Sequence, residues 1–363
     1  MRFTARYAAT GQPTVVEVVG DRVTYLGPGA EPADGWIAPS FCDVQINGCL
    51  GVGFNSPRLT AEGVRTAADE CRRHGVGRFC PTVITDGFEA IRRSFATLAG
   101  ACDADPELAH RTVGFHLEGP YISGDDGPRG AHPRPHARDP DWDEFRRWQD
   151  AAGGRIRMVT LAPERVGAVP FIEKLAAAGV VVALGHTAAT GEQIRAAVDA
   201  GARASTHLGN GCHATLDRHV NPIWEQLADD RLWMSVITDG HHLPPAVLTS
   251  LVRAKGVGRT LLTCDASPLA GLPPGRYADW GQEFEVLPTG KIVVPGTPYL
   301  AGSGCFTDAC VGVAAGRFGL AAAVEMASVR PRELLGLPPA DPGELVWFDW
   351  LPGGPVTVRQ VIG

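Results

Sequence analysis

A chain of 363 residues, 44% hydrophobic and 20% charged, can bury a large core and has ordinary soluble-globular composition. Its net charge of −7 argues against nucleic-acid binding, because no basic excess exists to neutralise phosphates. Nine scattered cysteines with no C-x-x-C pair favour buried free thiols in a reducing compartment over a disulfide framework or a four-cysteine zinc site.

In chain order, the N-terminal segment MRFTARYAATGQPT lacks an apolar signal core, and no run of eighteen apolar residues follows. A soluble, cytoplasmic chain with no membrane partner is expected. Short β-like stretches (TVVEVV, RVTYLG) fill the first 30 residues, and LVWFDW and PVTVRQVI fill the last 25. These ends are expected to meet as a small accessory β-sandwich of residues 1–36 and 340–363, flanking a catalytic body over 37–339.

Within the body, apolar strands are predicted at 36–47, 76–85, 112–118, 156–162, 179–186, 202–207, 232–239 and 260–265. Helical stretches fall at 59–74, 88–101, 139–152, 166–178, 190–200 and 244–254, with a short helix near 223–229 in an irregular connection. Eight Val/Ile/Leu-rich strands joined by crossovers predict an α/β fold, a parallel (β/α)8 TIM-like barrel. An open doubly wound sheet is the alternative, weakened by the lack of a G-x-G-x-x-G turn after the first strand. Two long loops, 119–138 and 266–304, follow predicted strands on one side of the barrel, and the second carries a β excursion (FEVLPTGKIVVPG).

Four polar residues stand at strand ends: Glu118 in TVGFHLEGP, His186 in VVVALGHT, His207 in RASTHLGN and Asp265 in LLTCDAS. Barrel metallohydrolases place their ligands and acid/base groups at such C-terminal strand ends. Two imidazoles and a carboxylate leave one position of a tetrahedral ion open for water. Taken singly, each histidine is as well explained as a structural residue, and Glu118 as an ion-pair partner; jointly they point to a metal. Asp265 is a candidate general base and acid, with an N-cap as the alternative. His116 shares a strand face with Glu118 and reads as interior packing. Gln45-Ile46-Asn47 ends the first strand where several metal-dependent barrels carry His-x-His. Amides are poor ligands, so a single metal is expected. Zn²⁺ stands first among the candidates, with Fe²⁺, Co²⁺ and Mn²⁺ also suited to such donors.

The ordered set APSFCDVQINGCLGVGFN, CPTVIT, GFHLEGPYIS, RGAHP, VTLAPE, ALGHTAAT, STHLGN, ITDGHHL and CDASPLAG runs from residue 38 to 271, with LAGS and GELVWFD beyond. It resembles the N-acetylglucosamine-6-phosphate deacetylase family of the amidohydrolase superfamily. The resemblance implies hydrolysis of the 2-acetamido group of an N-acetyl amino-sugar 6-phosphate, with Glu118, His186 and His207 on the metal and Asp265 as acid/base. It implies that His132 orients the acetamide carbonyl, and that Asn210, Gly211, Arg218 and His242 meet the sugar phosphate. The last two would reach over from a neighbouring subunit, which implies a homodimer with a shared site. His241 receives no role and is expected to point elsewhere.

Departures concentrate in one loop. Where many members carry Tyr-Asn-Ala-Met, this chain has Gly209-Asn210-Gly211-Cys212. A different or non-phosphorylated N-acetyl sugar therefore stays open as substrate. Cyclic-amide or deaminase chemistry is disfavoured by Gln45-Ile46-Asn47 and by the Lys-free strand RIRMVTLAP. A non-enzymatic scaffold is disfavoured because all four key side chains are present.

Overall fold

The computed structural model describes residues 1–279, 282–297 and 299–363. Eight parallel strands form one sheet in sequential order: Phe41–Ile46, Val76–Ile84, Phe115–Glu118, Ile156–Leu161, Val181–Leu184, Ala204–Ser205, Trp233–Ile237 and Thr260–Thr263. The sheet closes on itself through a parallel bridge between Ile46 and Ala266, where Asn47 N donates to Ala266 O at 2.9 Å. This is the (β/α)8 barrel expected from the strand count. Nearly every strand residue is buried, as strands covered by helices outside and side chains inside must be.

The barrel helices fall where the amphipathic stretches predict them, including Pro222–Ala228 in the irregular connection. Local chemistry sets their starts. Thr190 and Gln193 form a reciprocal capping box on Gly191–Asp199, and Asn221 caps the helix that opens with Pro222. Val44, Met158, Val181, Ala183, Ala204, Trp233 and Leu261 make a buried cluster separate from the main core, drawn from six of the eight strands.

Both termini meet in a single six-stranded sheet. The strand Trp36–Pro39, expected as the head of the first barrel strand, belongs to it instead. It pairs parallel with Arg2–Tyr7 and antiparallel with Leu345–Asp349, so the two terminal hairpins join in one continuous sheet. The excursion after the eighth barrel strand is a three-stranded antiparallel sheet over Gly275–Asp279, Gln282–Val286 and Ile292–Val293. Among the described residues no helix is long and apolar enough to cross a membrane.

Candidate active site

Strand register brings the four predicted side chains to one end of the barrel. Glu118 closes its strand level with Ile84 and Thr160 of the neighbouring strands. His186, His207 and Asp265 each lie just beyond a strand. Only four non-glycine residues among those described have positive φ, and three of them are His186 (51°), His207 (31°) and Asp265 (49°). Left-handed backbone costs an ordinary residue ~1–3 kcal/mol and persists where surrounding structure enforces it, typically at functional sites.

The geometry is tight. Glu118 Oε1 lies 3.1 Å from His186 Nε2 and 3.1 Å from His207 Nε2, and the two nitrogens are 3.1 Å apart. All three residues are buried. Three acceptor atoms so close repel unless a proton or a cation lies among them. Tetrahedral Zn²⁺ with bonds of ~2.0–2.1 Å sets its ligand atoms about 3.3 Å apart, so the donor set fits one such ion. The His186 Nδ1 is 2.8 Å from the carbonyl of Pro128, which accepts only, so Nδ1 carries a proton and Nε2 can turn a lone pair inward. Burial pushes the Glu118 carboxyl up, but the close approach of His186 and His207 outweighs it and holds it well below the usual carboxylate range.

Asp265 is held by the amides that stand in place of a His-x-His pair. Gln45 Nε2 donates to Asp265 Oδ1 at 3.1 Å and to Glu118 Oε1 at 2.9 Å, and Asn47 Nδ2 donates to the same Asp265 oxygen at 2.7 Å. The Asp265 carboxylate therefore faces the Glu118, His186 and His207 cluster and caps no helix. Burial and the charge of Glu118 push it up to about 8. His116 is interior packing, as its position predicts. Its Nδ1 lies 3.0 Å from the Val44 carbonyl and its Nε2 2.8 Å from the Thr160 hydroxyl, and burial lowers it to about 4.

A cavity of about 770 Å³ opens above this cluster. The loop 119–138 delivers His132 to its wall, with the imidazole 4.3 Å from the His186 ring and its Nδ1 2.9 Å from Thr85 Oγ1. Burial and the neighbouring His186 depress His132 to about 3, so the ring is neutral. Asn210 and Gly211 line the same wall. Gly211 (φ 57°) lies against the His186 and His207 rings: a Cβ there would sit 3.0 Å from His186 Nδ1 and 3.3 Å from His207 Cε1. A residue with a Cβ fits there only if the rings give by a few tenths of an ångström, and the positive φ favours glycine.

The expected phosphate residues divide. His242 lines the cavity of its own chain, with Nδ1 2.7 Å from Asp239 Oδ2. Burial would raise Asp239, but the bond and charge of His242 hold it at about 2. Arg218 is exposed and stands outside the cavity wall. His241, expected to point elsewhere, lines the mouth, with its Nε2 3.1 Å from the Thr289 carbonyl. Thr85, Lys291 and His213 escape sequence reasoning. Lys291 arrives on the β excursion and His213 on the departing loop, and both line the cavity.

No family model matches the chain. It is 34% identical over 303 residues to an N-acetylgalactosamine-6-phosphate deacetylase of Escherichia coli O157:H7, covering 83% of this chain and 78% of the relative. It is 38% identical over 313 residues to the N-acetylglucosamine-6-phosphate deacetylase of Bos taurus, covering 83% and 75%. Among solved structures, the N-acetyl-D-glucosamine-6-phosphate deacetylase of Mycobacterium smegmatis superposes with a TM-score of 0.88 at 34% identity, covering 99% of this chain and 98% of that one. A mutant of the same mycobacterial enzyme, solved in complex with N-acetyl-D-glucosamine-6-phosphate, gives 0.87 at 33% identity over the same shares of the two chains.

Proposed function

The chain belongs to the N-acetylglucosamine-6-phosphate deacetylase family of the amidohydrolase superfamily, and we propose that it hydrolyses N-acetylglucosamine-6-phosphate to glucosamine-6-phosphate and acetate. The observation that carries this reading is the convergence of Glu118, His186 and His207 within 3.1 Å of one another, beneath Asp265 and His132 in one cavity. Glu118, His186 and His207 would hold one divalent ion, with Zn²⁺ the first candidate. When bound, such an ion polarises water and the acetamide carbonyl at neutral pH.

The chain's own residues do the rest. Gln45 and Asn47 both donate to Asp265 Oδ1, which leaves Oδ2 to take the proton of the attacking water and return it to the leaving amine. His132 donates to the carbonyl oxygen as negative charge develops on it. Asn210, Gly211 and His242 bind the sugar phosphate, and Arg218 joins them from a second subunit. The exposure of Arg218, beside exposed Val220 and Trp224, supports a homodimer with a shared site. Sedimentation of the purified chain as a monomer would remove that part. Seven buried free thiols support a cytoplasmic setting.

One second reading has its own support, since the E. coli relative is named for the galactosamine epimer. Acetate release from N-acetylglucosamine and N-acetylgalactosamine, each with and without 6-phosphate, tests both. Fastest release from N-acetylglucosamine-6-phosphate is expected. Faster release from the galactosamine 6-phosphate would transfer the assignment to that epimer, and equal rates without phosphate would overturn the phosphate contacts.

A further inference from the structure

Two imidazoles 4.3 Å apart, His132 and His186, meet opposite kinds of partner through Nδ1. For His186 the partner is the Pro128 carbonyl at 2.8 Å, an acceptor only, so that ring must carry its proton on Nδ1. For His132 the partner is the Thr85 hydroxyl at 2.9 Å, which can either give or accept. A neutral imidazole has one N–H and one bare nitrogen, so the direction of this bond decides what Nε2 can do.

Thr85 Oγ has a single proton and two acceptors within reach. The His132 Nδ1 is 2.9 Å away, whereas the Glu118 carbonyl is 3.5 Å away, the outer limit of a hydrogen bond. Given to Nδ1, the proton makes the stronger of the two bonds Thr85 can donate; the reverse tautomer fills the short contact from the imidazole and leaves the hydroxyl only the carbonyl at its outer limit. We propose that Thr85 is a positioning residue: its hydroxyl donates to His132 Nδ1, fixes the ring as the Nε2–H tautomer, and so presents an N–H donor to the cavity. What that N–H meets, the acetamide oxygen, rests on the deacetylase reading; the tautomer does not.

The surroundings hold Thr85 in place for this task. It is buried at the end of the Val76–Ile84 strand. Gly119, with φ of 77°, runs directly over it, and a Cβ at Gly119 would collide with Thr85 Oγ1. The backbone carrying His132 is fixed separately, by Arg129 Nη1 donating to the His132 carbonyl at 2.6 Å. The reverse tautomer would set a bare Nε2 lone pair against the substrate oxygen, which is repulsive and grows worse as the oxygen gains charge.

The test is ¹⁵N NMR of the histidine rings in the metal-loaded protein, with the His132 signals assigned by their loss in His132→Gln. The expected wild-type result is a protonated Nε2 and an acceptor Nδ1 at His132. Thr85→Val removes the hydroxyl at nearly constant volume and is expected to mix the two tautomers. On N-acetylglucosamine-6-phosphate it should lower kcat by about 10- to 100-fold with KM within about threefold, less than the roughly 100- to 1,000-fold cost of deleting an oxyanion donor outright. Thr85→Ser keeps the donor and is expected to restore both readouts. An Nδ1–H tautomer in wild type would overturn the proposal, as would Thr85→Val with wild-type kcat. A wild-type protein that shows the Nε2–H form but releases no acetate would uphold the tautomer and sink only the substrate.

Discussion

Asp265 hangs by one oxygen. Because Gln45 and Asn47 saturate Oδ1, replacing the other oxygen with an amide removes the proton acceptor while leaving the anchoring bonds in place. Asp265→Asn is expected to retain its metal and to lose turnover by about 10²- to 10⁴-fold, the usual span for a positioned acid/base group. Metal content and acetate release measured on the same sample check this, and near-normal release would remove Asp265 from the chemistry. At this scale Glu118, His186, His207 and Asp265 could be picked out, because each stands where a strand gives way to loop-forming residues. Thr85 could not, nor could the packing of Gly211, expected at the sugar phosphate, against the His186 and His207 rings. Thr85 acts on a side chain 47 residues away through a loop whose path no local pattern encodes. Gly211 matters for the two rings it touches, and a glycine in a loop carries no mark of what lies above it.

Elements were read well where periodicity speaks and poorly where it is silent. The eight barrel strands and their helices follow from apolar runs and amphipathic stretches. The run WIAPSFCDVQIN hides a change of sheet, since both halves are apolar, and only Pro39-Ser40 marks the break between Trp36–Pro39 and Phe41–Ile46. Ser40 at that break reaches a buried ion cluster that ties the terminal sheet to the barrel. Its hydroxyl bonds Glu344, which also accepts from Arg332 at 2.9 Å and Arg78 at 3.2 Å. Burial would raise Glu344, but Ser40 and the two guanidiniums hold it below its ordinary value. A folded-state value lower than the unfolded one stabilises the protein at pH above the unfolded value of about 4.3, and this is lost as pH falls through the folded value. Glu344→Gln takes the carboxylate partner from the buried Arg332 and leaves the half-buried Arg78 with Asp341 as its remaining carboxylate partner, and is expected to cost about 3–5 kcal/mol near neutrality. It should also flatten the acid limb of the stability curve, where wild type loses the interaction as pH falls from about 4.3 through the lower folded value. Chemical denaturation of both proteins from pH 3 to 7 checks this, and an unchanged midpoint at neutral pH would contradict it.

On the scale of the whole molecule, the barrel supplies a rigid ring of strand ends, and the two long loops supply the walls. Loop 119–138 brings His132, and the excursion within 266–304 brings Lys291 to the same cavity. Composition and motif order were enough to predict that arrangement in outline. Arg218 and His242 were both expected to serve a neighbouring subunit; Arg218 stands outside its own chain's cavity whereas His242 lines its own, a difference set by loop geometry rather than by spacing. The proposed function depends on Glu118, His186 and His207 acting together around one ion. The most direct measurement is a titration of Zn²⁺ into chelator-stripped protein, with acetate release from N-acetylglucosamine-6-phosphate followed at each addition. The account predicts negligible release without metal and a linear rise to a plateau at one ion per chain, abolished in His207→Ala. Full activity in the stripped protein, or a plateau reached only at two ions per chain, would contradict it.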